Sequence, residues 1–127
     1  MRTAINAIII NDRKILLVKK KLTLILPGGK PEKNESDLDC LIREVKEELS
    51  GTELKNFKYY KEFEGITPYK KDILKAKTYF ADIRGGINHP SSEILEYFYI
   101  SFNDLINYNI SDITSKIIYS LKKENYL

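Results

Sequence analysis

The sequence predicts an α/β fold in which a mixed β-sheet lies between two helices. Three observations predict it. Residues 3–10 and 14–20 are apolar runs rich in Ile, Leu and Val. Residues 54–64 and 73–84 are longer runs drawing on Tyr, Phe, Ile and Thr, the residues that favour strands, and 94–100 is a further strand-like run. Two further segments, 34–50 and 113–122, place apolar residues at helical spacing. Such a mixture is stable only when the helices cover the sheet, which gives a helix–sheet–helix sandwich.

The elements follow in order. Asn11-Asp12 is a turn signal between the first two runs, so they are expected to pair as a hairpin. A short strand over 24–26 leads into a turn at Pro27-Gly28-Gly29, and the polar residues 30–35 read as loop. The first helix is capped by Asn34 or Ser36, with acidic residues in its first turn. Leu38, Leu41, Ile42, Val45 and Leu49 form its apolar stripe, and Gly51 suits a left-handed cap at its end. Residues 65–72 link the two long strands, and Arg84-Gly85-Gly86 makes a turn before the last strand. Ser101 starts a short helical turn, and the final helix carries Ile113, Ile117, Ile118 and Leu121.

Composition bounds the function. The chain has 127 residues, 43% apolar and 31% charged, which suits one soluble domain over 1–127 with one core. No apolar run approaches the roughly 20 residues of a membrane span. The apolar start, residues 1–10, lacks a cleavage site and is not read as a signal peptide. Cys40 is the single cysteine, so no internal disulfide forms and a reducing cytoplasm is expected. The net charge is +3 with scattered lysines, which argues little for nucleic acid.

The chemistry concentrates in "LPGGKPEKNESDLDCLIREVKEELSG", residues 26–51. At about 100° per residue, Glu44, Glu47 and Glu48 fall within one arc of the helix, roughly 100° wide. Like charges at this spacing weaken an isolated helix. Crowded carboxylates raise one another's pKa unless a cation neutralises them. Hard oxygen ligands on a stiff element suit Mg²⁺, which keeps waters and phosphate oxygens in its shell. Gly28-Gly29 lets the backbone approach a ligand closely. Either feature alone is commonplace, since glutamates on a helix usually form a solvated face; their joint spacing is the specific signal.

That spacing resembles the Nudix hydrolases, the MutT-like family. Its signature runs here through Gly29, Glu35, Arg43, Glu44, Val45, Glu47 and Glu48, preceded by "LPGGK". One departure is visible: Ser50 holds the family's glycine position and Gly51 its aliphatic one. The resemblance implies a Nudix fold and a hydrolase needing Mg²⁺, or Mn²⁺, that cleaves the diphosphate linkage of a nucleoside diphosphate derivative by water attack at phosphorus. It makes Glu47 and Glu48 the main metal ligands, Glu44 a ligand or the base, and a carbonyl of Gly28 or Gly29 a further ligand. Arg43 would orient a carboxylate and Glu35 would brace the loop. A fourth acidic partner is expected from Asp72, Asp82, Glu93 or Glu96, and "PSSEILEYFYI" points to Glu93. Cys40 is expected to pack under the glycine loop with no ligand or nucleophile role.

Outside the signature, Lys30 and Lys33 read first as solvated loop lysines and second as phosphate contacts. Tyr69, Phe80, Tyr97 and Tyr99 can stack on a base, although each reads more simply as a core or sheet-face aromatic. His89, the only histidine, receives no catalytic role. The expected partner is a nucleotide; a membrane is not expected, and capped RNA ends stay among the substrates considered. A homodimer is compatible with the chain. The alternative reading is a catalytically silent Nudix-fold sensor or nucleotide- or RNA-binding module, which loss of one metal carboxylate would favour.

Overall fold

Alternation along two N-terminal strands organises the core. In the computed structural model, which describes residues 2–67, 72–86 and 94–127, strand β1 (Arg2–Ile8) and strand β3 (Lys14–Lys20) each bury side chains on both faces. Ile5, Ala7, Leu16 and Val18 point to one apolar cluster; Ile8, Ile15 and Leu17 point to another. Two-sided burial is why these runs read as continuous apolar sequence. Each buried Leu, Ile or Val contributes roughly 1.5–3 kcal/mol of hydrophobic stabilisation.

The strands form two sheets rather than one. The first has the order β5-β1-β7-β6, with β5 at Gly28–Gly29, β6 at Glu53–Ile66 and β7 at Ile73–Arg84. Here β1 runs parallel to β7, and the other pairs are antiparallel. The second sheet is built on β3, which pairs antiparallel with β2 (Ile10–Asn11), β4 (Thr23–Ile25) and β8 (Ile94–Ser101).

Two expectations are corrected here. The runs 3–10 and 14–20 pair only at their turn-proximal ends, because the chain changes sheets between β1 and β2. The hairpin holds Ile10 and Asn11 opposite Ile15 and Lys14, and the Leu16 N–H donates to the Ile9 carbonyl at 2.9 Å. Its turn residues are Asp12 and Arg13, both left-handed at φ 52° and 58°. Gly28-Gly29 is also more than a turn: it forms strand β5, pairing with Ile5 and Asn6. A side chain at Gly28 would strike the Ile5 carbonyl at 2.0 Å, and its φ of 140° suits glycine alone.

Helix α1 (Asp37–Glu48) starts at Ser36, whose side chain accepts from the Asp39 N–H, with Asp37 and Asp39 in its first turn. It ends earlier than expected, capped at Leu49, and Gly51 follows with φ 90°. The Ser50 departure therefore lies in the turn beyond the helix. The apolar stripe is corrected as well. Leu41, Val45 and Leu49 are buried, but Leu38 is 37% exposed and Ile42 45%. The buried face is rotated toward the acid edge, so Cys40 and Glu48 fill it instead. Helix α2 (Asp112–Lys123) covers the other cluster with Ile113, Ile117, Ile118 and Leu121, all buried as expected. A short 3-10 helix at Phe102–Asn107 precedes it, starting after Ser101. No described helix is long and apolar enough to cross a membrane.

Candidate active site

Helix α1, strand β5 and the ends of β1, β3 and β4 enclose a cleft of about 630 Å³. Glu44, Glu47 and Glu48 line it together with Gly28, Gly29 and Lys30. Its wall also includes Arg2, Asn6, Lys20 and Lys21, and its far end holds Thr67, Leu74, Ser111, Ile113, Thr114 and Ile117. The three glutamates that the sequence placed on one arc thus open on one space.

Their environments differ. Glu48 is buried and accepts from the Gly28 N–H at 2.9 Å, tying α1 to β5. Burial pushes its carboxyl up to about 8; the Gly28 N–H pulls it down, Glu44 pushes it up again, and Lys20 partly offsets this. Glu44 is held by Arg43, whose Nη1 donates to its Oε1 at 2.9 Å. Glu47 is half exposed, with Arg43 Nη1 at 3.6 Å from its Oε1.

Arg43 is the hub of this edge. Its Nε and Nη2 grip both oxygens of Glu35 at 2.8 and 2.9 Å, and Nη2 also reaches the Lys30 carbonyl at 3.2 Å. This fork fixes the loop against the helix as a single ammonium cannot. The Arg43 hydrogen bond, with the Glu32 N–H, draws the Glu35 carboxyl down to about 2. Beneath the loop, the Cys40 thiol donates weakly to the Gly29 carbonyl at 3.6 Å. Burial, with the charge of Glu35 beside it, raises that thiol to about 12, so it is not a thiolate at neutral pH.

The residues fit a hard divalent cation. A Cβ on Gly29 would lie 2.4 Å from Cδ of Glu44 and 2.6–2.7 Å from its oxygens, so only glycine lets this carboxylate reach the loop backbone. The donors are carboxylate and carbonyl oxygens, which suit Mg²⁺ or Mn²⁺. The buried Glu48 adds a carboxyl whose ionisation calls for a counter-charge. Among the described residues, however, no three His, Cys, Asp or Glu side chains are gathered at metal-holding distance. Glu48 is turned onto Gly28 and Glu44 onto Arg43 instead.

Other expected residues lie elsewhere. Phe80, Tyr97 and Tyr99 do not line the cleft. Phe80 packs on Tyr60 and Tyr126 under α2, and the two tyrosines pack on the α1 side. Asp72 pairs with Arg2 at 3.3 Å, and Asp82 accepts from Asn56 at 2.8 Å. Glu96 is exposed on β8 opposite Lys19. Lys33 is exposed and off the cleft, whereas Lys30 lines it. Glu93, Tyr69 and His89 fall outside the described residues. Sequence reasoning missed Arg2, Asn6, Lys20 and Lys21 as lining residues. The run Lys19-Lys20-Lys21 at a strand end was the available signal.

Known proteins share this fold. The NUDIX domain family model matches residues 1–121. No curated protein matches the chain. Among solved structures, the E. coli ORF135 protein superposes with a TM-score of 0.77 at 22% identity, covering 98% of this chain and 93% of that one. A NUDIX hydrolase from Nitrosomonas europaea gives 0.81 at 17% identity, with coverages of 97% and 89%. A protein described as an ADP-ribose pyrophosphatase from Streptococcus suis gives 0.69 at 21% identity, with coverages of 98% and 92%. At these identities the superpositions speak for the fold, and the match over residues 1–121 speaks for the family. The chain belongs to the NUDIX domain family and is a Nudix hydrolase.

Proposed function

We propose that this chain, acting as one Nudix domain over 1–127, is a Mg²⁺-dependent pyrophosphohydrolase of a nucleoside diphosphate derivative. The observation that carries the reading is the convergence of Glu44, Glu47, Glu48, Gly28 and Gly29 on one cleft that also bears Lys20, Lys21 and Lys30. Glu47, Glu48, Glu44 and a carbonyl of Gly28 or Gly29 would hold the metal, with Mn²⁺ as a substitute. Bound metal supplies charge neutralisation at the diphosphate oxygens and acidifies the attacking water.

The chain's own residues do the rest. The lysines attract and orient the polyanion. Glu44, pinned by Arg43, accepts the proton of the water as its oxygen bonds to phosphorus. The bridging P–O bond breaks, and its electron pair leaves with the departing phosphate. Arg43 acts through Glu44 and Glu35, holding the loop and base in register. Glu93 is the proposed fourth carboxylate. The silent-module alternative loses ground because all three signature glutamates are present and face the cleft.

The test is a panel of nucleoside triphosphates, nucleotide sugars, dinucleoside polyphosphates and capped RNA, each with Mg²⁺, followed by phosphate or pyrophosphate release. Glu47→Gln should lower the rate on the order of 10²-fold or more. Turnover insensitive to chelation, or a fully active Glu47→Gln variant, would overturn the assignment.

A further inference from the structure

Strand β1 carries a polar side chain inside its apolar run. Ile5, Ala7, Ile8 and Ile9 are buried, whereas Asn6 is half-buried and lines the cleft. Asparagine disfavours strands, and a part-buried amide costs stability unless its groups are paired. A β-branched apolar residue would suit the strand better, so the contacts of Asn6 have to account for it.

Those contacts lie on the glycine loop. Nδ2 of Asn6 donates to the Leu26 carbonyl at 3.3 Å and to the Pro27 carbonyl at 3.4 Å. Two carbonyls on one side fix the orientation of the amide, because only its NH₂ end can face them. The Ala7 N–H holds the same Pro27 carbonyl at 2.9 Å. The next residue is Gly28, which stands directly across from Asn6 in the β1–β5 pairing. The fit is close: a Cβ on Gly28 would come 2.9 Å from Cα of Asn6 and 3.0 Å from its Nδ2. Gly28 then donates its N–H to Glu48 at 2.9 Å.

The loop needs such a brace. Strand β5 is two residues long and both are glycine, the residue that loses most conformational freedom on ordering. Cys40 grips the loop at the Gly29 carbonyl and Arg43 grips it at the Lys30 carbonyl, both from α1. Asn6 grips Leu26 and Pro27 from β1, on the opposite side. The place of the Gly28 N–H between sheet and helix therefore depends on it.

We propose that Asn6 is a positioning residue for the metal centre: by clamping the Leu26 and Pro27 carbonyls it aims the Gly28 N–H at Glu48, and so sets the direction of a metal-ligating carboxylate. This rests on the hydrolase reading, in which Glu48 is a ligand, and adds a residue outside the signature. Groups that orient a metal ligand from behind commonly govern roughly 10- to 100-fold of metal affinity.

The experiment compares the wild type with Asn6→Leu and Asn6→Ser, neither of which can reach both carbonyls. Mn²⁺ binding is titrated by electron paramagnetic resonance, Gly28 amide exchange is followed by NMR without metal, and kcat and KM are measured with Mg²⁺. Both variants should bind Mn²⁺ about tenfold or more weakly and lose kcat in proportion, with KM for the nucleotide within about twofold. The Gly28 amide should exchange about tenfold faster while the amides of Ile8 and Leu17 keep their protection, which a general loss of stability would not produce. Unchanged Mn²⁺ affinity in both variants, or weaker binding with Gly28 still fully protected, would overturn the role of Asn6 and leave the hydrolase reading intact. Loss of folding in both variants would make Asn6 a purely structural residue and overturn the proposal too. A wild type that binds no Mn²⁺ and cleaves no nucleotide would overturn both.

Discussion

Glu48→Gln separates folding from function at one atom pair. Glu48 is buried against the Gly28 N–H, and its carboxyl is raised from 4.5 to about 8, burial being the main cause. The folded protein therefore binds a proton that the unfolded chain releases. That contribution to stability is complete below pH 4.5 and is lost as pH rises through about 8. At 1.36 kcal/mol per pH unit, the wild type without metal gives up roughly 3 kcal/mol between pH 4.5 and 7. Glutamine keeps an acceptor for Gly28 and has no charge to bury, but its amide nitrogen needs a partner of its own. The variant should gain on the order of 2 kcal/mol over the wild type at pH 7 after that cost of about 1 kcal/mol, and should fall about 1 kcal/mol below it near pH 4.5. The assay is urea unfolding with chelator at several pH values from 4.5 to 8, repeated with excess Mg²⁺. Mg²⁺ should stabilise the wild type at pH 8 and have little effect on the variant. Parallel stability–pH curves for the two proteins would refute the account of Glu48.

Four further outcomes follow from the site. Gly29→Ala puts a methyl against the Glu44 carboxyl and should cut turnover about 10²-fold with folding retained, read by circular dichroism beside the rate. Arg43→Lys loses the fork on Glu35 while keeping the charge, so kcat should fall at least about tenfold with a smaller change in KM. Cys40→Ala removes only a weak donor beneath Gly29 and should keep most of the activity; a loss above tenfold would give the thiol a role it is not assigned here. Glu93→Gln should lower turnover at saturating substrate and Mg²⁺ by about tenfold, roughly 1.4 kcal/mol of barrier, at an unchanged melting temperature. Full activity in that variant together with loss in Asp72→Asn or Glu96→Gln would move the fourth carboxylate.

How much of this was legible depends on whether the information was local. The boundaries of β6, β7 and α2 are close to expectation because composition and spacing within each segment decide them. Ser36 was legible as a cap for the same reason. The hairpin is shorter than expected because two apolar runs beside a turn carry no record of which sheet each joins. β1 pairs instead with the distant β7 and with β5. Leu38 and Ile42 were misplaced because the helical period gives a stripe but not its rotation. That rotation is set by Cys40 beneath Gly29 and by Glu48 against Gly28, contacts between different elements. The acid cluster was legible through its spacing to the glycines. The basic side of the wall was not, since Arg2 and Lys20 come to one cleft only in three dimensions.

The parallel pairing of β1 with β7 also has a consequence for biosynthesis. Arg2 lies beside Leu74, and Gly28-Gly29 in turn hangs on β1. Every signature residue is therefore synthesised before β7, the strand that pins β1 and through it the glycine loop. At about 5–20 residues per second, the 72 positions from Arg2 to Leu74 take roughly 4 to 14 s. Through that interval β1 lacks its β7 partner and presents apolar side chains and open backbone groups to whatever is nearby. A chain stopped after α1 would carry the full signature and still lack a built cleft. Chaperone demand should accordingly track how fast translation reaches β7, and slow codons before residue 73 should lower the yield of folded enzyme more than slow codons after residue 84.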